Sequence, residues 1–284
     1  MVQGRSSIAQ GKSRFDDIYD EPDPRAYFRT LAPLSYEIPH QAQPVFRHTL
    51  AERAAAHGAG GGQVTVLDVC CSYGINAALL NHDVTLDELY AHYTGREAES
   101  LTTAELIEWD KQFYAERRRP EATPAIGLDS AGRAVDYALA VGLLDQGYAE
   151  NLEQHAPSPG LRRAVAETGL ITVTGGIGYI TSRTFDALMQ SARLPVWVSA
   201  FVLRTVPYQP VIAGLARYGL VTESDQSRTY PQRLFTGLAE RRHAVEQTLL
   251  TGHDPSGLET RGRYYTHLYQ SRPRAAWART GTNS

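Results

Sequence analysis

Val64-Thr65-Val66-Leu67-Asp68-Val69-Cys70-Cys71-Ser72-Tyr73-Gly74-Ile75-Asn76 is the stretch from which the fold is read. Val64 to Val69 is an apolar run of strand length that carries one acid, Asp68. A bend of small residues follows, with Gly74 in it, and Ile75 to Leu80 reads as the first turns of a helix. Strand, tight turn and helix N-terminus in that order aim backbone N–H groups and the positive end of a helix dipole at a ligand. The ligand is then expected at the carboxyl end of a parallel sheet, where open α/β folds bind their small molecules.

Outward from this stretch the chain alternates strand-like and helix-like segments. Towards the N-terminus, residues 1–14 are polar and read as a loose end. Phe15 to His40 mixes aromatics with acids and reads as short helices over the sheet's carboxyl edge, followed by a helix at about Ala42–Ala56 and a flexible connector, Gly58 to Gly62. Towards the C-terminus, the expected second strand is delayed. About forty residues, His82 to Thr123, intervene with a helical look, and Thr102-Thr103-Ala104-Glu105 has the form of a capping box. The segment at about 82–123 is therefore expected to be an inserted helical cap. The second strand is Ala125–Asp129, with a helix from Ala131 to Leu144.

The remaining strands are expected near Tyr148–Leu152, Gly169–Thr174, Val196–Leu203 and Leu220–Glu223. Helices are expected at Thr181–Ala192 and Val211–Tyr218, a second helical insertion spans about 237–260, and Arg263–Ser271 is a last antiparallel strand. This order implies an α/β fold, a three-layer doubly wound and mostly parallel sheet. Residues 1–63 form an N-terminal helical flap and linker, and 64–284 the α/β domain with its two insertions.

Composition narrows the function classes. The 284 residues, 42% hydrophobic, can bury a full core. A formal charge of −3 leaves no basic footprint, so nucleic acid is not the expected partner. Of 28 basic residues only Lys12 and Lys111 are lysine, a bias that reads as the mark of a GC-rich bacterial genome. The two cysteines are neighbours, which excludes a disulfide framework and a spaced zinc site, so no metal is expected. Reduced thiols and no N-terminal apolar segment point to the cytoplasm, and the longest apolar stretch, Leu194 to Leu203, is half a membrane span. The oligomeric state stays open, a homodimer included.

At Val64–Asn76 the chain resembles the class I S-adenosylmethionine-dependent methyltransferases of the small-molecule type. Their first motif is an apolar strand, an acid, and a turn with glycines at alternate positions. Here the acid is Asp68 and the glycine positions fall on Cys70, Ser72 and Gly74. The resemblance implies S-adenosylmethionine (SAM) as cofactor, held at these residues and Asn76, and a small-molecule substrate. Cys70 and Cys71 are then structural, with no neighbouring His or Lys in sequence to activate a thiol.

Asp129 closes the second strand, where nucleoside-binding α/β folds place an acid that accepts from two ribose hydroxyls; an N-cap for the next helix is the other reading. The resemblance places Asn151 and Leu152 at the adenine, and Thr174 and Gly175 where the methionine part of the cofactor meets the substrate. Tyr19, Tyr27 and Tyr36 lie in a segment that folds over the cofactor in many such enzymes, where an aromatic face attracts a sulfonium. His40 is the histidine best placed as a general base, with Tyr36 beside it in the catalytic set. Tyr179 and Arg204 fall on the substrate side, Arg204 as an anchor for a carboxylate.

Three other functions stay open at this stage. A methyltransferase-like enzyme can use the cofactor for another reaction, and a binding pattern alone also suits a nucleotide-sensing module. A nicotinamide-dependent oxidoreductase needs Gly-x-Gly-x-x-Gly between strand and helix; Asp68–Asn76 has one glycine, and Gly176-Ile177-Gly178 reaches Thr181 where the third belongs.

Overall fold

The structure, a computed structural model, describes residues 18–57 and 63–276. The loose end, the start of the aromatic stretch at Phe15 and the connector Gly58–Gly62 lie outside the described residues. Eight strands form one sheet: β1 (Thr65–Val69), β2 (Ala125–Asp129), β3 (Gln146–Ala149), β4 (Thr168–Thr174), β5 (Trp197–Leu203), β6 (Leu220–Glu223), β7 (Tyr230–Leu234) and β8 (Arg263–Pro273). Their order is β3-β2-β1-β4-β5-β8-β6, with β7 paired to β8 off this path. β1 to β5 pair in parallel, and β8 runs antiparallel to β5, β6 and β7.

This is the doubly wound sheet with an antiparallel last strand that the alternation of elements implied. β1 lies between β2 and β4, so the chain winds away from β1 to one side and then crosses to the other. The loops leaving β1 and β4 diverge there, and a crevice opens at their carboxyl ends. Alternation along each strand divides the core between two faces. Leu67, Val69, Ile171, Val173 and Val198 pack with α8 (Pro159–Ala166), α9 (Ser182–Ser191) and α10 (Gln209–Ala216). Val66, Leu170, Trp197 and Phe201 pack with α2 (Ile38–His57) on the opposite face.

α2 corrects the sequence reading twice. It starts at Ile38, four residues before the expected position, and runs through Pro44. A proline inside a helix removes one hydrogen bond, which favours starting the helix just before it. The burial of Ile38, Ala42 and Phe46, one turn apart, offsets that loss. α2 is also no flap, because it covers β4, β5 and β7 as a layer of the fold. Two elements went unassigned from sequence, α8 and β7. β7 contains Pro231, which argues against a central strand, and it pairs only with β8.

The inserted segment holds α4 (Leu86–Thr94), α5 (Arg96–Ser100) and α6 (Thr103–Ala115), between α3 (Ile75–Asn81) and β2. Thr85 with Glu88 and Thr102 with Glu105 form capping boxes that start α4 and α6. The two ends of the insertion meet: Asn81 Nδ2 donates to Thr123 O at 2.8 Å, and Thr123 N–H donates back to Asn81 Oδ1 at 3.0 Å. The insertion therefore leaves β1 and β2 in register. Its core is polar at one point. Asp110, fully buried, accepts from the Tyr93 and Tyr137 hydroxyls at 2.5 and 2.6 Å and lies 2.7 Å from His92 Nε2.

Tyr137 belongs to α7 (Gly132–Ala140), so Asp110 ties the insertion to the α/β core. Asp110→Ala leaves three buried groups without their acceptor and is expected to cost about 3–5 kcal/mol. Urea denaturation with circular dichroism measures it, and an unchanged midpoint would show the network to be dispensable.

Candidate functional site

The turn after β1 has three residues in the left-handed region at alternate positions: Cys70 (φ 61°), Ser72 (φ 49°) and Gly74 (φ 76°). These are the three glycine positions of the motif. A side chain there strains the backbone by about 1–2 kcal/mol, so the Cys70-Cys71-Ser72 turn is held by its surroundings. Cys70 N–H donates to Leu128 O at 2.8 Å, and Ser72 N–H to Asp129 Oδ2 at 2.8 Å. Space for the two thiols comes from glycines on other segments. A Cβ at Gly176 would stand 2.5 Å from Cys70 Sγ, and one at Gly127 would stand 2.8 Å from Cys71 Sγ. Burial pushes both thiols well above their ordinary pKa, so neither is a thiolate nucleophile at neutral pH.

Beneath the turn lies Asp68, 2% exposed. Its Oδ1 accepts from Thr172 Oγ1 at 2.8 Å and from Asn76 Nδ2 at 3.0 Å, and Asn76 Nδ2 also donates to Thr174 Oγ1 at 2.9 Å. Burial pushes the Asp68 carboxyl up to about 7, while the Thr172 and Asn76 hydrogen bonds oppose the rise. Asp68 does not line the cleft; it positions Asn76, which does. Gly74 likewise shapes the turn without lining the cleft.

The cleft is a cavity of about 450 Å³ over the carboxyl ends of β1, β2 and β4. Cys70, Ser72, Asn76, Asp129, Asn151, Leu152, Thr174 and Gly175 all line it, as do Tyr19, Tyr27, Tyr36 and Tyr179. Asp129 Oδ1 accepts from Ala131 N–H at 3.0 Å. A carboxylate has about four lone-pair sites, so two backbone donors leave Asp129 capacity for a ligand. Burial pushes its pKa up, against the backbone hydrogen bonds that lower it. Ser72 Oγ and Asn76 Oδ1 are buried without a partner among the described residues.

Residues 18–39 form the roof. α1 (Arg25–Leu31) contributes Tyr27 and Leu31 to the lining, and Tyr19 and Tyr36 flank them. Tyr27 meets Tyr19, Tyr36 and Tyr73 edge-on at centroid distances of 5.7, 6.2 and 6.0 Å. Burial holds the Tyr27 and Tyr36 phenols well above their ordinary pKa. Tyr36 is therefore protonated at neutral pH and is not a base. Tyr179 stands on the rim, 53% exposed.

Three expectations are corrected. His40 is exposed on the first turns of α2 and lines no part of the cleft, because Ile38 and Ala42 turn the opposite side of the helix to the sheet. Arg204 is buried away from the cleft, where it pairs with Glu259 at 2.9 Å and donates to Asp254 O at 2.7 Å. Neither insertion supplies a lining residue, so the roof belongs to the N-terminal segment alone. Among the lining residues that sequence reasoning missed are Gln232 and Arg233, both from β7, and the acids Asp20, Glu150 and Glu153. Among the described residues no group of three or more His, Cys, Asp or Glu could hold a metal, and no helix is long and apolar enough to cross a membrane.

No protein-family model matches the chain, and no curated protein matches it. Among solved structures it is similar to magnesium protoporphyrin IX methyltransferase from Synechocystis PCC 6803 with bound SAM, at 13% identity over 95% of this chain and 98% of that one, with a TM-score of 0.40. It is similar to the plantazolicin methyltransferase BpumL in complex with SAH, at 11% identity over 95% of each chain and a TM-score of 0.39. The YcgJ protein from Bacillus subtilis gives 10% identity over 83% of this chain and 99% of that one, with a TM-score of 0.45.

Asp68 generates a pH prediction. Its carboxyl titrates near 7 in the fold and near 3.8 as a free side chain. Between these values the folded protein keeps a proton that the unfolded chain releases, so the contribution of Asp68 to stability is full at low pH and is lost as pH rises to about 7. Asp68→Asn does not titrate. From pH 4.5 to 8 the wild type is expected to lose roughly 3 kcal/mol relative to this variant in urea denaturation; parallel curves would exclude a proton held by Asp68.

Proposed function

We propose that the protein is a class I SAM-dependent methyltransferase acting on a small molecule. One observation carries the reading. At the switch point of a doubly wound sheet, a turn with left-handed residues at positions 70, 72 and 74 stands beside Asp129, an acid with spare acceptor capacity. The neighbouring Asn151 and Leu152 offer a polar edge and an apolar face to a base. A nucleoside has the matching chemistry, two vicinal hydroxyls that donate and a planar base. The unpartnered Ser72 Oγ and Asn76 Oδ1 add polar groups at the turn, so the residues fit the cofactor.

In this reading Asp129 holds the ribose hydroxyls, Asn151 and Leu152 frame the adenine, and Asn76, Thr174 and Gly175 border the methionine part. Bound there, SAM supplies a methyl group activated on a sulfonium. The chain supplies alignment and exclusion of water, through the ring faces of Tyr19, Tyr27 and Tyr36 under the roof. Any base for the substrate has to come from the carboxyl groups on the lining, such as Asp20, Glu150 and Glu153. No histidine lines the cleft among the described residues, Tyr36 is protonated, and both thiols are too. A cavity of about 450 Å³ shared with a cofactor suits a small substrate. The unpaired thiols accord with a cytoplasmic setting.

Calorimetry with SAM, S-adenosylhomocysteine, NAD and ATP tests the reading. SAM and S-adenosylhomocysteine are expected to bind, and Asp129→Ala to weaken S-adenosylhomocysteine roughly 10- to 100-fold, the scale of a charge-assisted hydrogen bond. Affinity unchanged by that substitution would return Asp129 to a local capping role, and binding of NAD in place of SAM would overturn the proposal.

A further inference from the structure

The lining of the cleft is divided by charge. Asp129, Glu150 and Glu153 stand at and after the ends of β2 and β3, and Asp20 reaches the same side, where it accepts from Arg133 N–H of α7 at 2.7 Å. Arg233 of β7, at the other end, is the sole cationic side chain among the described lining residues. It is fixed there. Arg233 is 2% exposed and Glu240 of α11 (Leu238–Leu250) 3% exposed, and Arg233 Nη2 donates to Glu240 Oε1 at 2.7 Å. Glu240 also accepts from Thr236 N–H at 2.7 Å and from the Tyr264 hydroxyl at 3.3 Å.

Two neutral donors stand with Arg233, and both converge over Gly175. A Cβ built on Gly175 would stand 2.9 Å from Gln232 Nε2 and 3.6 Å from the Tyr36 hydroxyl oxygen. Glycine, in a left-handed conformation (φ 71°), is what lets the Gln232 amide come this close. The positive charge of Arg233 acts on the hydroxyls of both Tyr19 and Tyr36. Two donors under one cation make a seat for an anionic oxygen.

The sheet order says which anion can reach it. From β2 to β4 is two strand spacings, about 10 Å. A nucleoside with its base near β3 and its ribose at Asp129 extends its third part past β1 to the end of β4, where Gly175 lies. Resting on the function proposed above, we infer that Tyr36 and Gln232 donate hydrogen bonds to the carboxylate of the cofactor's amino-acid tail, with Arg233 supplying the positive field. The strand β7, outside the main order of the sheet, thereby completes the cofactor site. No covalent step is involved, and Tyr36 acts as an anchor.

Calorimetry on the full chain tests this without turnover. The probes are S-adenosylhomocysteine and 5′-methylthioadenosine, which keeps the nucleoside and the thioether but lacks the tail. The wild type is expected to bind S-adenosylhomocysteine about 10-fold or more tightly than 5′-methylthioadenosine. Tyr36→Phe and Gln232→Leu are each expected to weaken S-adenosylhomocysteine about 5- to 10-fold and to leave 5′-methylthioadenosine within about twofold. A merely structural role would weaken both ligands alike, and that result, or no change in either, overturns the inference. A comparison of SAM with decarboxylated SAM on the wild type needs no variant, and equal affinities overturn it too. If the wild type binds none of these ligands, the proposed function itself fails; if it binds the nucleosides without regard to the tail, that function stands and only the anchor falls.

Discussion

Asp68 accepts hydrogen bonds from Asn76 and Thr172 while 2% exposed, and the geometry of the cleft depends on that arrangement. A carboxyl group in this position has lost its hydration, a cost met only if protein donors stand where water stood. Thr172 lies directly opposite Asp68 in the parallel pairing of β1 with β4, so the hydrogen bond requires that register. Asn76 lies in the first turn of α3, so its bonds to Asp68 and Thr174 fix how the helix leaves the turn. The backbone between Asp68 and Asn76 must then cover seven residues in little space. Left-handed positions at 70, 72 and 74 are how it does so.

That turn also shows how a motif can keep its geometry after losing two of its glycines. Cys70 and Ser72 hold the backbone conformation for which glycine is the easy choice, and the bulk of the thiols has to go somewhere. It goes to Gly176 and Gly127, whose missing side chains are filled by Cys70 Sγ and Cys71 Sγ. The tight packing of a protein interior makes such exchanges between neighbours necessary, because an added methyl group has no free volume to enter.

Sequence reading succeeded where the signal was local. β2 and β6 have the boundaries expected of them, and the Thr102–Glu105 capping box starts α6. Such features depend on residues within a turn or two of each other. The failures depend on distant partners. Arg204 at the end of β5 resembled a substrate anchor, yet its partner Glu259 is 55 residues away in sequence. His40 was judged on a segment read as a flap, but the burial of Ile38 and Ala42 makes that segment part of α2 and turns His40 outward. Gln232 and Arg233 were invisible because Pro231 speaks against a strand, and only the pairing of β7 with β8 places them at the cleft.

The insertion between α3 and β2 touches none of the cleft, yet it decides how firmly the cleft is roofed. Arg25, the first residue of α1, donates to Ala98 O at 2.9 Å and to Leu101 O at 2.7 Å, both carbonyls of the insertion. It also pairs with Asp23 at 2.7 Å, and Asp23 accepts from Thr103 Oγ1 at 2.7 Å. On the other side Tyr73, from the turn itself, donates to Glu21 O at 3.0 Å and accepts from Glu21 N–H at 3.0 Å. The roof is thus held between the cofactor turn and the inserted helices. Residues 18–24 contain no helix that could hold them by its own hydrogen bonds beyond a single short turn at Ile18. The side chains of Tyr73, Arg25 and Thr103 do that work, and they do it from elements that Asp68 and Asp110 fix in place. Two buried carboxyl groups, one under the turn and one in the insertion, therefore set the position of Tyr19 and Tyr27 over the cleft.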